Sequence, residues 1–72
     1  MNNFKAYRIR SSREIAKGDA IMSRSGKRYT FRYVADNGNI ATQEPGEAVF
    51  LLHPGDFVDV MVRDVTPKAN PR

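Results

Sequence analysis

SGKRYTFRYVADNGN, residues Ser25 to Asn39, decides how the rest of this chain is read. Tyr29, Phe31 and Tyr33 stand at every second position, with Arg28, Thr30, Arg32 and Val34 between them. A period of two is the side-chain period of a β-strand. Asp36-Asn37-Gly38-Asn39 follows, and Asn-Gly tolerates the positive φ that a two-residue hairpin needs. The strand leaves two options. With the rings outside, they form a stacking platform for single-stranded nucleic acid, each base worth about 1–3 kcal/mol. With the rings inside, they are core, and Arg28 and Arg32 make a solvated basic face. The chain holds only 3 Tyr, 4 Phe and no Trp, so a small core can hardly spare three adjacent rings. Burying the two arginines instead would cost far more than the rings gain. The expectation is rings inward and arginines outward, with the tyrosine hydroxyls reaching the rim.

Turn signals recur at short intervals on either side. Arg24-Ser25-Gly26-Lys27 is one, and Glu44-Pro45-Gly46-Glu47 and His53-Pro54-Gly55-Asp56 both read as type II turns. Strands are predicted near residues 4–10, 19–24, 28–35, 39–43, 48–52 and 57–65. Ala48 to Leu52 is apolar on both faces and reads as the middle of a sheet or a barrel closure. In the last segment Val58, Val60 and Val62 share a face, opposite Phe57, Asp59, Met61 and Arg63. Ser11 and Glu14 have capping-box spacing, and Gly18 suits a helix end, so at most one short helix is placed near residues 12–17. Residues 1–65 form a single β-rich domain. The tail 66–72, with two prolines and no apolar anchor, is predicted to be disordered.

A chain of 72 residues supports one small core. It has no Cys and a single His, which excludes a disulfide framework and the usual zinc constellations. Asp56, Asp59 and Asp64 lack the spacing of a calcium loop, and no glycine-rich phosphate loop is present. His53 sits in a turn with no nucleophile in a supporting context. The expectation is a protein that is not an enzyme, with no cofactor, no metal and no small-molecule substrate. No apolar run approaches the roughly 20 residues of a membrane span, and the N-terminus lacks the pattern of a secretory signal. A cytoplasmic location without membrane association follows as an expectation.

Charge is more informative. Twelve Lys+Arg stand against 8 Asp+Glu, a net charge of +4. Residues 1–34 carry nine of the basic residues and two acidic ones, whereas residues 35–72 carry three and six. Such asymmetry points to a polyanion or an acidic protein surface as partner. The candidate contact residues are Arg8, Arg10, Arg13, Lys17, Arg24, Lys27, Arg28 and Arg32. Arginine suits planar, bidentate contact to phosphate or carboxylate. Phe57 and Met61, on the mixed face of the last strand, are candidate hydrophobic anchors. The alternative is a basic face that only keeps the protein dissolved.

Lys17-Gly18-Asp19-Ala20-Ile21, followed by Ser25-Gly26-Lys27, resembles the opening of the KOW modules of ribosomal and transcription-elongation proteins. There a Gly-Asp opens a strand that leads to a Ser-Gly-Lys turn. Where such modules carry a further glycine, this chain has Tyr29-Thr30-Phe31. The resemblance implies a small antiparallel SH3-like barrel. The mainly β fold expected is therefore that barrel or a curved sheet of five to six strands.

Three functions fit these features. One is a regulator of phage or plasmid type that docks its arginine-rich face on gene-expression machinery, such as RNA polymerase or its nucleic acid. The second is a stand-alone nucleic-acid-binding module. The third is a structural subunit of a ribosomal or virion assembly. For the first, a monomer in the free state is expected.

Overall fold

Strands alternate with tight turns along the whole chain, as the spacing of Gly and Pro implies. They are β1 (Phe4–Arg8), β2 (Ala20–Met22), β3 (Arg28–Val34), β4 (Ile40–Gln43), β5 (Phe50–Leu52) and β6 (Val60–Asp64), with a 3-10 turn at Pro54–Asp56. The computed structural model describes residues 3–66; the tail beyond Thr66 lies outside them. Every pairing is antiparallel. β2, β3, β4 and β5 make one sheet in that order, and β1 and β6 make a second. The fold is mainly β, built from two curved sheets and not a closed barrel. Among the described residues no helix is long and apolar enough to cross a membrane.

Short backbone links join the sheets. Val58 N–H donates to the Met22 carbonyl at 3.1 Å, and Arg24 N–H to the Asp56 carbonyl at 2.8 Å. On the far edge of β1, Arg8 N–H donates to Arg13 and Ile15 N–H to Ala6, both at 2.8 Å. Residues 12–17, where the sequence allows at most one short helix or a loop, form a loop. A helix of one or two turns is marginal by itself. Pairing with β1 satisfies the same backbone groups and delivers Ile15 to the core at 3 % exposure. Ser12, at φ 55, makes the turn.

The two hairpins around β3 are built alike. Gly26 N–H donates to the Ser23 carbonyl and Gly38 N–H to the Ala35 carbonyl, while Ser23 pairs with Lys27 and Ala35 with Asn39. Each loop has three residues, and its glycine takes φ 88. The expected two-residue turn at Asn37-Gly38 is thus one residue longer, with Gly38 alone in the left-handed region. Gly46, at φ 77, fits the type II turn expected at residues 44–47. His53 to Asp56 departs from that turn type. His53 Nδ1 accepts the Gly55 N–H at 2.9 Å, and Asp56 Oδ2 accepts the His53 N–H at 3.2 Å. This reciprocal cap draws the segment into a 3-10 turn.

Nearly every element contributes to the core: Ala6, Ile15, Ile21, Phe31, Val34, Ile40, Phe57 and Val60. The strand buried on both faces is β4, where Ile40, Ala41 and Thr42 are all 0 % exposed. β5, expected in the sheet's middle or at a barrel closure, lies at the edge of its sheet. Leu51 in β5 and Val49 just before it are exposed. Phe57, a candidate surface anchor, is buried at 1 % exposure. The chain bends after the 3-10 turn, so Phe57 and Val60 both point inward and Val58 faces out. Regular alternation starts only at Val60. Where β6 ends, Asp64 accepts the hydroxyl and then the backbone N–H of Thr66, which hold its carboxyl below the ordinary carboxylate range.

Candidate binding surface

The aromatic strand answers its question in two halves. Tyr29 is half-buried, with its ring edge-on to Phe50 at 5.5 Å and to Phe57 at 6.2 Å. Phe31 is core. At that point the register slips: Phe31 faces Thr42, but it is Tyr33, not Arg32, that faces Ala41. Arg32 is the extra residue of a β-bulge, and a bulge re-aims the side chains beside it. Tyr33 is therefore 56 % exposed and Val34 only 5 %, the reverse of what simple alternation implies. Cross-strand partners share a face, so Tyr33, Ala41 and Leu51 form a row across the sheet's outer side. Both ends of that row are open to solvent.

The candidate cations divide by what they touch. Arg8 is committed to the fold: Nη1 meets Asp59 Oδ2 at 3.0 Å, and Nη2 donates to the Ala20 carbonyl at 2.8 Å. Arg24 Nε donates to the Gly55 carbonyl at 2.7 Å. Lys27 pairs with Glu44 at 3.5 Å. Five others, Arg10, Arg13, Lys17, Arg28 and Arg32, form no hydrogen bond or ion pair through their side chains among the described residues. Arg10 and Arg13 sit in the turn beyond β1, not on a strand or helix face. Arg28 and Arg32 lie on the outer side of β3, four residues or roughly 13 Å apart. Arg28 borders a hollow of about 240 Å³ with Met22 and Asp59.

Lys17 and Arg32 come together. With Lys5, Glu14 and Tyr33 they border an open groove of about 320 Å³, whose floor includes Ala6, Ile15, Phe31 and Val34. Glu14 is the groove's carboxylate, and Lys5 already pairs with it at 3.3 Å. The field over the groove is therefore positive. Met61, the other anchor candidate, is half-buried opposite Tyr7 in the β1–β6 ladder. The Tyr7 ring carries the Arg63 guanidinium at 5.5 Å. His53, bound into its cap, is exposed. Sequence reasoning missed Tyr33 and Lys5 as surface groups: nothing in the local pattern marks a bulge, and Lys5 joins the groove only through the loop folded against β1.

Arg8 supplies a stability test. The side chains of Arg8 and Asp59 are 32 % and 35 % exposed, and Asp59 Oδ1 is buried with no hydrogen-bond partner among the described residues. Charge-assisted bonds contribute about 1.5–3 kcal/mol, and partial exposure reduces that. Arg8→Ala is expected to lower stability by about 1–2 kcal/mol in urea unfolding. Arg8→Lys should recover part of the loss, since it keeps the charge near Asp59 but loses the planar fork that also reaches Ala20.

Compared with protein-family models, with curated proteins and with solved structures, the chain matches none.

Proposed function

We propose that this protein is a non-enzymatic regulatory module that acts in the cytoplasm and docks through its basic face on gene-expression machinery. The polyanion it meets is nucleic acid or an acidic surface of a complex such as RNA polymerase. The observation that carries this reading is the division of the cations. Arg8, Arg24 and Lys27 are consumed by the fold, while Arg10, Arg13, Lys17, Arg28 and Arg32 form no side-chain ion pair among the described residues. Five unmatched cations on so small a body strengthen the surrounding field and accelerate encounter with a polyanion. Tyr33 and Leu51, on either side of the buried Ala41, offer apolar contact beside them.

The test is capture from a bacterial lysate on the immobilised protein, with and without nuclease, read by protein and nucleic-acid content. Retention of gene-expression complexes or of nucleic acid supports the reading. Retention that survives nuclease assigns the contact to protein, and loss assigns it to nucleic acid. Capture no greater than by an Arg10/Arg13/Lys17/Arg28/Arg32 charge-reversed variant would sink it.

A further inference from the structure

Deepening that reading, and resting on it, we infer that the groove between β1, the 14–17 loop and the end of β3 is a site for single-stranded nucleic acid. Tyr33 stacks on a base, and Arg32 and Lys17 hold the flanking phosphates. The bulge is the first ground. Without the extra residue, Arg32 and Tyr33 would point to opposite faces; with it, both stand outward opposite Ala41. A ring and a guanidinium are thereby set side by side at the lip of one groove.

The state of the ring is the second ground. Tyr29 is packed on Phe50 and Phe57, and Tyr7 lies under Arg63. Tyr33 has no such ring or cation contact among the described residues and leaves more than half its surface open. An exposed aromatic face beside free cations is what an unpaired base with its phosphate satisfies. The bases of a duplex are stacked on both faces and cannot use the ring. A run of Asp or Glu in a protein would engage the cations but gain little from it. Charge is the third ground: among the described residues Lys17 and Arg32 form no ion pair, and the one acid lining the groove, Glu14, is already matched by Lys5.

Fluorescence anisotropy with three labelled probes tests this: a ten-nucleotide oligothymidine, a hairpin duplex of equal charge and a poly-glutamate peptide. Wild-type protein should bind the single strand at least tenfold more tightly than either competitor. Tyr33→Ala should weaken single-strand binding about 5- to 150-fold, the loss of one stacked base, while Tyr33→Phe, which keeps the ring, should bind as wild type. Thermal melts of both variants should match wild type, since the side chain is exposed, and the duplex affinity should not move. Equal affinity for single strand and duplex, or an unchanged Tyr33→Ala, overturns the proposal. Preference for poly-glutamate overturns it in favour of an acidic protein partner. Nuclease-resistant capture of a protein complex with no oligonucleotide binding leaves the docking reading standing and this site refuted; failure of both assays removes both.

Discussion

Phe57→Ala is expected to lower unfolding stability by about 3–5 kcal/mol, the cost of emptying an aromatic site in a close-packed core. A domain of this size has roughly 0.05–0.15 kcal/mol per residue to lose, so the variant is left close to unfolded at physiological temperature. The ring is 1 % exposed and edge-on to Tyr29 at 6.2 Å. It also fixes the bend that joins the sheets, for the adjacent Val58 N–H reaches Met22 and Ser23 bridges to Phe57 itself. The melting temperature should fall by more than about 12 °C, at 4–8 °C per kcal/mol. Met61→Ala, at a half-buried position, is the control and should cost under about 1.5 kcal/mol. A Phe57→Ala protein that melts like wild type would mean that the ring is not core, and would restore it as a surface anchor.

Legibility in the sequence followed the range of the interactions. Turns were readable because their cause is local: Gly26 and Gly38 take a backbone conformation other residues resist, and each ends a strand that pattern alone placed within a few residues. Phe31 was readable as core from period and apolarity. The bulge at Arg32 was not. It depends on how β3 registers against β4, and an arginine in that place looks like any alternating outward residue. The edge position of β5 was hidden because Ala-Val-Phe-Leu-Leu has the apolarity of a central strand, and which strand lacks a neighbour is a property of topology. The choice between helix and loop over residues 12–17 has the same origin: the capping residues are local, but the pairing with β1 that takes Ile15 into the core is not.

The basic face shows the same limit. Charge asymmetry made eight cations candidates, yet which ones are free depends on partners far along the chain. Arg8 meets Asp59, 51 residues away, and Arg24 meets Gly55, 31 residues away. No spacing rule separates these from Arg28 and Arg32. The committed cations hold the two sheets in place, and the uncommitted ones remain for a partner.

That division sets the second large effect, a dependence of binding on salt. If all five free cations contact phosphates of a single strand, the log–log slope of affinity against salt is about −3.5; if only Lys17 and Arg32 do, it is about −1.4. Between 50 and 200 mM salt the first case loses roughly a hundredfold in affinity, the second under tenfold. We expect a slope nearer the first, since Arg10, Arg13 and Arg28 have no side-chain partner among the described residues to leave. Arg28→Glu with Arg32→Glu removes two contacts and adds two repulsions, and should weaken binding by at least about a hundredfold and flatten the slope by about 1.4. Arg24→Glu with Lys27→Glu changes net charge equally but alters groups already engaged at Gly55 and Glu44. It should cost some stability and only a few-fold in affinity. Equal losses from the two double reversals would show that the partner senses overall charge and not the free arginines of β3. Equal losses with no salt dependence would remove phosphate contact from the account altogether. Because both variants carry the same net charge, the comparison isolates where the guanidinium groups stand, which is the property that the folding of the chain, through the bulge and the long-range pairs, controls.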